Sequence, residues 1–391
     1  MTIMRIHSYL LLMMVALLSA CITPFAPKGI EAEEGTIVIE GDIVVDGETK
    51  ISLSLMRALE KQHLISHIKE AQVWVENELG EKYRGLFQSS ELPYYLIDTK
   101  NLTLEQRYKL CVVYEDKEYE TDFLAPLQSP EIDILFYSAN ETETAVDFYL
   151  TTYGSQNDSR YYKWNFKEDW EVVATYHSLV YFDPVTRTLH SFPSEYSPLL
   201  YCWKKSESTT LIAKTDHLTE NTVFQQMLHT IERSDDRISY LYSIEVTQMS
   251  ITKEAHTYWS VLKRNSDEVG GIFAPQPSEL YGNIRCTTHP ERRVLGYVSI
   301  GTHTTKRIFA TTREIGIYIP FVCAPLDMAS FQDMIPPPTN IDFYNSGYRV
   351  MGTTPSFNDP EDPKEWYPRR CIDCTAMGTK VKPPFWPNDH L

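Results

Sequence analysis

Cys21 offers the most specific chemistry in this sequence, because its thiol follows Ala20 and an almost wholly apolar run over residues 9–18. A basic start at Arg5, an apolar run and a small residue before a cysteine are typical of a lipoprotein signal peptide. The run is shorter than the roughly 20 residues that cross a bilayer as a helix. We therefore predict a signal peptide over residues 1–20 and lipidation of Cys21, on its thiol and then its amine, with chains such as palmitate. The alternative is an ordinary secretory signal with a chance cysteine.

The other cysteines form an even set, namely Cys111, Cys202, Cys286, Cys323, Cys371 and Cys374. Six cysteines in an exported chain favour disulfides, and they allow about 15 pairings. The spacing of Cys371-Ile372-Asp373-Cys374 also fits half a zinc ribbon or a redox pair, but no second close pair exists and Pro368 precedes it. We predict a structural disulfide at Cys371 and Cys374.

Aromatic residues are abundant, with 25 Tyr, 16 Phe and 7 Trp. The clusters at Tyr161-Tyr162, Trp164 and Trp203 support two interpretations. These rings either form a platform that contacts a sugar or peptide, or they fill β-sheet cores, where aromatic residues are favoured. We favour core packing and keep Tyr161, Tyr162, Trp164 and Trp203 as candidate ligand contacts.

The sequence gives little support to the common signatures of catalysis. It has no Gly-x-Ser-x-Gly motif. His63 and His67 are four residues apart but lack the glutamate of a metalloprotease motif, and Gly270-Gly271 has no phosphate-binding lysine pattern. We predict no catalytic residue, no metal site and no cofactor.

The net charge of −17 argues against one class of partner. An acidic chain without a basic stripe repels phosphate backbones, so we expect no binding to nucleic acid.

Residues 21–35 contain proline, glycine and acidic residues and are predicted to be a flexible tether. Two-fold alternation then dominates residues 36–125, which predicts half-buried strands. Asp46-Gly47 is a hairpin signal. About seven short strands in this length predict an immunoglobulin-like β-sandwich. The predicted strands include 37–45, 50–55, 71–76, 82–87, 108–114 and 117–123.

Prolines near residue 126 predict a boundary, followed by a larger β-rich domain over residues 126–391 that ends in the CxxC segment. Helices are predicted at residues 221–233 and 253–264, the second capped by Thr252. The tail Phe385-Trp386-Pro387 is predicted to dock onto the body. Strands are predicted at 145–152, 161–166, 172–176, 238–248, 295–299 and 306–311.

The whole pattern resembles a Bacteroidota lipoprotein family of unknown function that is encoded beside TonB-dependent outer-membrane receptors. The pieces that carry the resemblance are the lipobox, Ile37-Val38-Ile39-Glu40-Gly41, Ala71-Gln72-Val73-Trp74-Val75, Tyr161-Tyr162-Lys163-Trp164, Cys202-Trp203, Ser250-Ile251-Thr252-Lys253-Glu254-Ala255, Tyr258-Trp259, Gly282-Asn283-Ile284, Val294-Leu295-Gly296-Tyr297-Val298, Cys371-Ile372-Asp373-Cys374-Thr375, Lys382-Pro383 and Phe385-Trp386. The resemblance implies an exported β-rich lipoprotein without established catalytic residues and a TonB-dependent receptor as partner.

The resemblance also implies the outer membrane as location. Surface display in this phylum goes with acidic residues close to the lipidated cysteine, whereas here the acids begin at Glu31. The sequence therefore supports the outer membrane better than its outward leaflet.

Our leading hypothesis is a non-enzymatic accessory that helps a TonB-dependent transporter to capture or admit its substrate. The alternative is a surface binding or adhesion module that acts without a transporter. A hydrolase of glycans or peptides with an unrecognised site is a third hypothesis, which a cluster of Glu, Asp or His in a deep aromatic-lined cleft would support.

Overall fold

The computed structural model describes residues 35–56, 66–90, 92–192, 198–207, 210–267, 282–318, 321–327, 331, 334–352 and 365–387. The predicted signal peptide, Cys21 and nearly all of the tether lie outside these residues. The mostly β fold class is confirmed. None of the helices in the described ranges has the length and the apolar surface that a membrane crossing requires.

The first part of the chain forms strands because apolar and polar residues alternate along it, so that one face of each strand is buried, as in Gln72–Asn77. Asp46 has a φ of 56°, which confirms the predicted turn. Tyr94–Thr99 is a strand that was not predicted from the sequence. The strands are β1 (Ile37–Glu40), β2 (Ile43–Val44), β3 (Gly47–Leu55), β4 (Ser66–His67), β5 (Gln72–Asn77), β6 (Lys82–Gln88), β7 (Tyr94–Thr99), β8 (Tyr108–Tyr114) and β9 (Lys117–Thr121).

The middle of the chain contains longer strands, among them the 13-residue strand β12, which merges two predicted strands. The strands are β10 (Ile134–Ala139), β11 (Ala145–Tyr153), β12 (Tyr161–Val173), β13 (Val180–Asp183), β14 (Thr188–Ser191), β15 (Tyr201–Glu207), β16 (Leu211–Lys214), β17 (Thr222–Glu232) and β18 (Leu241–Ser250). A short 3-10 turn, Asp236–Ile238, precedes β18.

The last part of the chain alternates short strands with short helices. The strands are β19 (Ile284–Cys286), β20 (Val294–Leu295), β21 (Ile300–Gly301), β22 (His303–Thr311), β23 (Tyr348–Met351) and β24 (Glu365–Pro368). The helices are α1 (Lys253–Asp267), α2 (Thr312–Ile315), α3 (Asn340–Asn345) and α4 (Arg369–Ile372), and a 3-10 turn at Cys374–Ala376 follows α4.

The first unit is one hydrogen-bonded sheet in the order β19-β9-β8-β5-β6-β7-β3-β1-β20. The path is continuous because β3 pairs with β7 through residues 47–51 and with β1 through residues 52–55. Strand β6 likewise passes from β5 to β7. The strands therefore curve around one core, whose fully buried side chains include Ile39, Ile51, Leu53, Ile97 and Leu110.

Residues 284–301 return to this first unit. Strand β19 pairs with β9, β20 pairs with β1, and β21 pairs with β2. Ile284, Val298 and Ile300 lie in the core of the first unit. The region predicted as a second domain from residue 126 is thus interrupted, because these residues bury their apolar side chains in the first core.

The second unit packs two sheets face to face. One sheet has the order β10-β11-β17, and the other has the order β15-β12-β18-β22 with β16 beside β12. Its core contains Phe148, Leu150 and Ile231 from the first sheet and Ile244 and Val246 from the second.

One predicted helix is wrong and the other is confirmed. Residues 221–233 form strand β17, which pairs with β11 through two register shifts. Helix α1 covers the predicted residues 253–264. The amide of Ala255 donates to Thr252 Oγ1 at 3.2 Å, as expected of a cap.

Candidate binding site beside the C-terminal disulfides

Two of the candidate ligand contacts, Tyr162 and Trp164, have no exposed surface. Their rings stack with centroids 5.8 Å apart. Tyr162 Oη donates to Asn221 Oδ1 at 2.9 Å, and Trp164 Nε1 donates to Gln248 Oε1 at 2.8 Å. Buried polar atoms require such partners. The ligand-contact prediction is therefore wrong for these two residues, which pack in the core.

The other two aromatic candidates lie apart from each other. Tyr161 begins β12, and its hydroxyl donates to Asp216 Oδ2 at 3.1 Å. Trp203 lies on β15 opposite Glu171, near the far end of β12. Ten residues of strand separate Tyr161 from Glu171, about 33 Å at ~3.3 Å per residue. The four aromatic residues do not form one site.

Cys371 and Cys374 both form disulfides, but not with each other. Cys374 is bonded to Cys202 on β15, and Cys371 is bonded to Cys323. The predicted pairing is wrong because Cys371 lies in helix α4 whereas Cys374 begins the following 3-10 turn, so that the two side chains meet different parts of the chain.

The remaining cysteines of the described residues, Cys111 and Cys286, are free and buried. Burial raises the pKa of Cys111 to about 12, which keeps its thiol protonated and unreactive at neutral pH.

The C-terminal segment, residues 365–387, is fastened at several points. Asp373 links its two short helical turns, since its carboxylate accepts from Arg369 Nε at 2.8 Å and from the Thr375 amide at 2.9 Å. Burial opposes ionisation of Asp373, but the hydrogen bonds from Thr375 and Arg369 outweigh it and lower the pKa of Asp373. Trp386 is 3% exposed and its ring lies 5.7 Å from that of Phe309, so the predicted docking of the tail is confirmed.

A cleft of about 800 Å³ lies beside these disulfides. This volume falls within the ~300–1,000 Å³ range of ligand pockets. The cleft is bounded by the end of β12, the 3-10 turn before β18, the chain after α2, and helix α4. Its lining residues are Val172, Val173, Ala174, Thr175, Ser234, Asp236, Ser239, Tyr318, Phe321, Val322, Arg370 and Met377.

Part of the cleft lining is apolar and exposed to solvent. Phe321 is 48% exposed and Val322 is 81% exposed. The guanidinium carbon of Arg370 lies 3.0 Å from the centroid of the Phe321 ring. Arg370 forms no ion pair within the described ranges. Exposed apolar side chains beside an arginine without a carboxylate partner suit a ligand with an apolar part and a polar or anionic group.

The rim of the cleft is polar. Asp236 accepts from Lys204 Nζ at 2.7 Å, and Ser234 and Ser239 flank it. Among the residues that the structure describes, those that line the cleft include no histidine and no cysteine.

A buried cluster of charged and polar side chains around Glu168 lies outside the cleft, between the two sheets of the second unit. Glu168 Oε1 accepts from Tyr242 Oη at 2.8 Å and from Arg237 Nη1 at 3.0 Å, and His229 Nε2 lies 3.2 Å away. Burial opposes ionisation of Glu168, but His229, Tyr242 and Arg237 lower the pKa of Glu168. Glu168 is 3% exposed, so the cluster joins β17 to the second sheet and does not line the cleft.

The motifs of the sequence do not single out the cleft residues Phe321, Val322 and Arg370. A usable signal was present, because the apolar run of residues 315–323 ends in a cysteine and Arg369-Arg370 precedes another. The disulfide between Cys323 and Cys371 brings these two segments together.

Comparisons with known proteins give a family but no activity. No curated protein matches the chain. Among solved structures, the BSP domain of a biofilm associated protein aligns at 6% identity with a TM-score of 0.13, over 75% of this chain and 63% of that chain, and so weak a likeness carries no argument. The model of a family described as a domain of unknown function matches residues 22–307, so the chain belongs to the DUF4249 family.

Proposed function

We propose that this protein is a lipid-anchored, non-enzymatic lipoprotein of the outer membrane that captures a ligand for a TonB-dependent transporter. The observation that carries the proposal is the cleft beside the C-terminal disulfides, with its exposed Phe321 and Val322. Exposed apolar surface of this kind is expected at binding sites.

An exported location is supported by two features. The lipobox before Cys21 is typical of a lipoprotein. Disulfides at Cys202–Cys374 and Cys323–Cys371 persist in oxidising compartments outside the cytoplasm. The transporter as partner and the outer membrane as location are supported by the family resemblance alone.

Two disulfide bonds make the cleft a suitable site for ligand capture. Cys371 and Cys374 flank Asp373, and their disulfides hold Arg370 and Met377 against two other segments of the chain. A pre-organised site loses less conformational entropy when a ligand binds. The family match ends at residue 307, so the segment that carries Phe321 and Val322 lies beyond it.

The anchor is tested with Cys21→Ser, because a serine hydroxyl cannot form the thioether. We expect the variant to incorporate no labelled palmitate and to leave the membrane fraction, whereas the matched variant Thr23→Ser behaves like wild type. Palmitate labelling of Cys21→Ser at the wild-type level would contradict lipidation at this residue.

The partner is tested by pull-down of the tagged, lipidated protein from its own outer membrane in a mild detergent. We expect a TonB-dependent receptor barrel to be recovered in a near-stoichiometric amount, and not with an unrelated tagged lipoprotein of the same membrane. Recovery without any such barrel, under conditions that preserve known receptor complexes, would count against the transporter role.

Ligand capture is tested by native mass spectrometry of protein purified from its host. We expect a bound mass in wild type that Val322→Glu loses. Leu79→Glu is the matched control, because Leu79 is 77% exposed in the first unit, far along the chain from the cleft. A mass that is retained equally by both variants would place the ligand elsewhere.

A further inference from the structure

A second cavity, of about 290 Å³, lies next to helix α4. The helix contributes to both cavities through adjacent residues: Arg369 lines this cavity, and Arg370 lines the cleft. Strand β13, Pro184 and Phe192 line one part of it, and β23 with Tyr344 before it lines another. We call it the Arg349 cavity.

Arg349 is a partly buried cation with unused hydrogen-bond donors. Its Nη1 donates to the carbonyl oxygens of Tyr344 at 3.1 Å and Tyr348 at 2.7 Å. The guanidinium carbon lies 3.8 Å from the Tyr344 ring centroid. Arginine has five N–H donors. Within the described residues, Nε and Nη2 of Arg349 have no protein partner and Arg349 forms no ion pair.

The acidic residues that line the cavity are committed to other partners. Asp373 accepts from Arg369 Nε and from Thr375. Asp183 accepts from the Val185 amide at 2.8 Å and from Thr186 Oγ1 at 3.0 Å, which closes the hairpin turn. Neither carboxylate therefore forms an ion pair with Arg349.

Burial of this charge has an energetic consequence. Burial lowers the pKa of Arg349; the charge of Arg369 adds to this, whereas Tyr344 and Asp373 oppose it. A partly buried cation without an ion-pair partner is unfavourable, and a carboxylate that accepts two hydrogen bonds from one guanidinium is its strongest complement.

The walls of the cavity are apolar and aromatic. Phe182 is 4% exposed, Val350 is 2% exposed and Ile372 is 3% exposed. The rings of Tyr181 and Phe192 lie 4.8 Å apart at the hairpin. The volume of about 290 Å³ corresponds to roughly ten water molecules at ~30 Å³ each. A ligand of about ten heavy atoms fills it.

We propose that the Arg349 cavity binds a small monocarboxylate with an aromatic or branched apolar group, the carboxylate on Arg349 and the apolar group against Phe182 and Ile372. This site is separate from the cleft and does not depend on the proposed transporter role.

The proposal is tested by isothermal titration of the purified full-length mature protein with phenylacetate, and with its uncharged analogue phenylacetamide. We expect phenylacetate to bind at millimolar concentration or below and phenylacetamide to bind at least about tenfold more weakly. Equal binding of the two ligands, or no binding of phenylacetate at millimolar concentration, would overturn the proposal without the need for any variant.

Variants then assign the site. Arg349→Met is expected to lose at least about tenfold in affinity for phenylacetate, and Arg349→Lys is expected to retain part of it. Arg107→Met is the control, because Arg107 is an exposed arginine of the first unit. Unchanged affinity in folded Arg349→Met, checked by its thermal unfolding, would contradict the site. Acetate that binds as tightly as phenylacetate would contradict the apolar subsite.

Discussion

A buried ion pair joins the two units at the level of single residues. The ammonium of Lys163, on β12, pairs with the carboxylate of Asp42, which lies between β1 and β2. The side chains are 4% and 11% exposed. Lys163 also lies over the Trp259 ring of α1, with its Nζ 5.2 Å from the centroid. Removal of either partner leaves the other charge buried and uncompensated.

We predict that Lys163→Met lowers the free energy of unfolding by about 3–5 kcal/mol. The matched control is Lys82→Met, because Lys82 also pairs with a carboxylate, Glu76, and lies over a tryptophan, but its side chain is 45% exposed. We expect that control to lose about 1 kcal/mol or less. Urea denaturation measures both values.

The double variant Asp42→Leu with Lys163→Met distinguishes the loss of a charge partner from the loss of packing. We expect it to recover much of the stability that Lys163→Met loses, because no charge then remains buried. A loss in Lys163→Met no larger than that in Lys82→Met would show that the pair is unimportant.

His303 makes the same region sensitive to pH. Burial lowers the pKa of His303 below its ordinary value of 6.5, the charge of Lys163 lowers it further, and Asp42 opposes this. The unfolded chain therefore takes up a proton near pH 6.5 while the folded chain does not. We predict that the contribution of neutral His303 to the free energy of unfolding is fully present above pH 6.5. This contribution falls as the pH drops toward the folded pKa of His303.

The measurement is the urea midpoint of wild type and His303→Gln between about pH 7.5 and about pH 5. We expect the urea midpoint of His303→Gln to fall less than that of wild type as the pH is lowered. His217→Gln serves as control, since the His217 side chain is 64% exposed. Identical pH dependence in wild type and His303→Gln would refute the assignment.

At the scale of elements, the sequence predicts a strand well where apolar and polar residues alternate regularly, as in β5. It fails at β17. Apolar residues at Val223, Met227, Leu228 and Ile231 imitate a helical spacing. The structure explains this spacing, because Gln225 has a φ of 46° and register shifts interrupt the ladder, so that the two-fold alternation is lost.

The candidate site was predictable only in part, because its disulfide partners are distant in the sequence. The sequence identifies Cys371 and Cys374 as structural cysteines but not their partners, since Cys202 is 172 positions from Cys374. The pairing depends on where β15 lies relative to the C-terminal segment, and local pattern carries no such information.

The two disulfides differ in access, which predicts the order of their reduction. Cys202, Cys371 and Cys374 are 0% exposed, whereas Cys323 is only partly buried on the segment after α2. Exchange requires a thiolate to reach a sulfur atom. We predict that a mild dithiol opens Cys323–Cys371 several times faster than Cys202–Cys374.

Isotope-coded alkylation and mass spectrometry of the native protein measure this order. We expect label at Cys323 and Cys371 first, while Cys374 still fastens the C-terminal segment to β15. Earlier labelling of Cys202 and Cys374 would contradict the prediction. A sample unfolded in denaturant is the control, since access is then equal.

At the scale of the whole molecule, two separate segments of the chain build the first unit. Residues 36–125 supply β1 to β9, and residues 284–301 supply β19, β20 and β21. The later segment adds Ile284, Val294, Val298 and Ile300 to the core of the first unit. Sequence patterns could not reveal this return, because pairing between strands about 165 residues apart leaves no local period, as in Arg285 with Glu120.

This return predicts that residues 36–125 do not fold stably alone. Without residues 284–301, the edges of β9 and β1 lose their partner strands and part of the core is open to water. We expect the isolated fragment to unfold without a cooperative transition in thermal circular dichroism. The same fragment, with residues 282–301 attached through a flexible linker, is expected to regain a sharp transition, because both edges are then paired. The matched control attaches those residues with Ile284, Val294 and Ile300 changed to serine. A cooperative transition in the isolated fragment would show that the first unit is complete without the return of the chain.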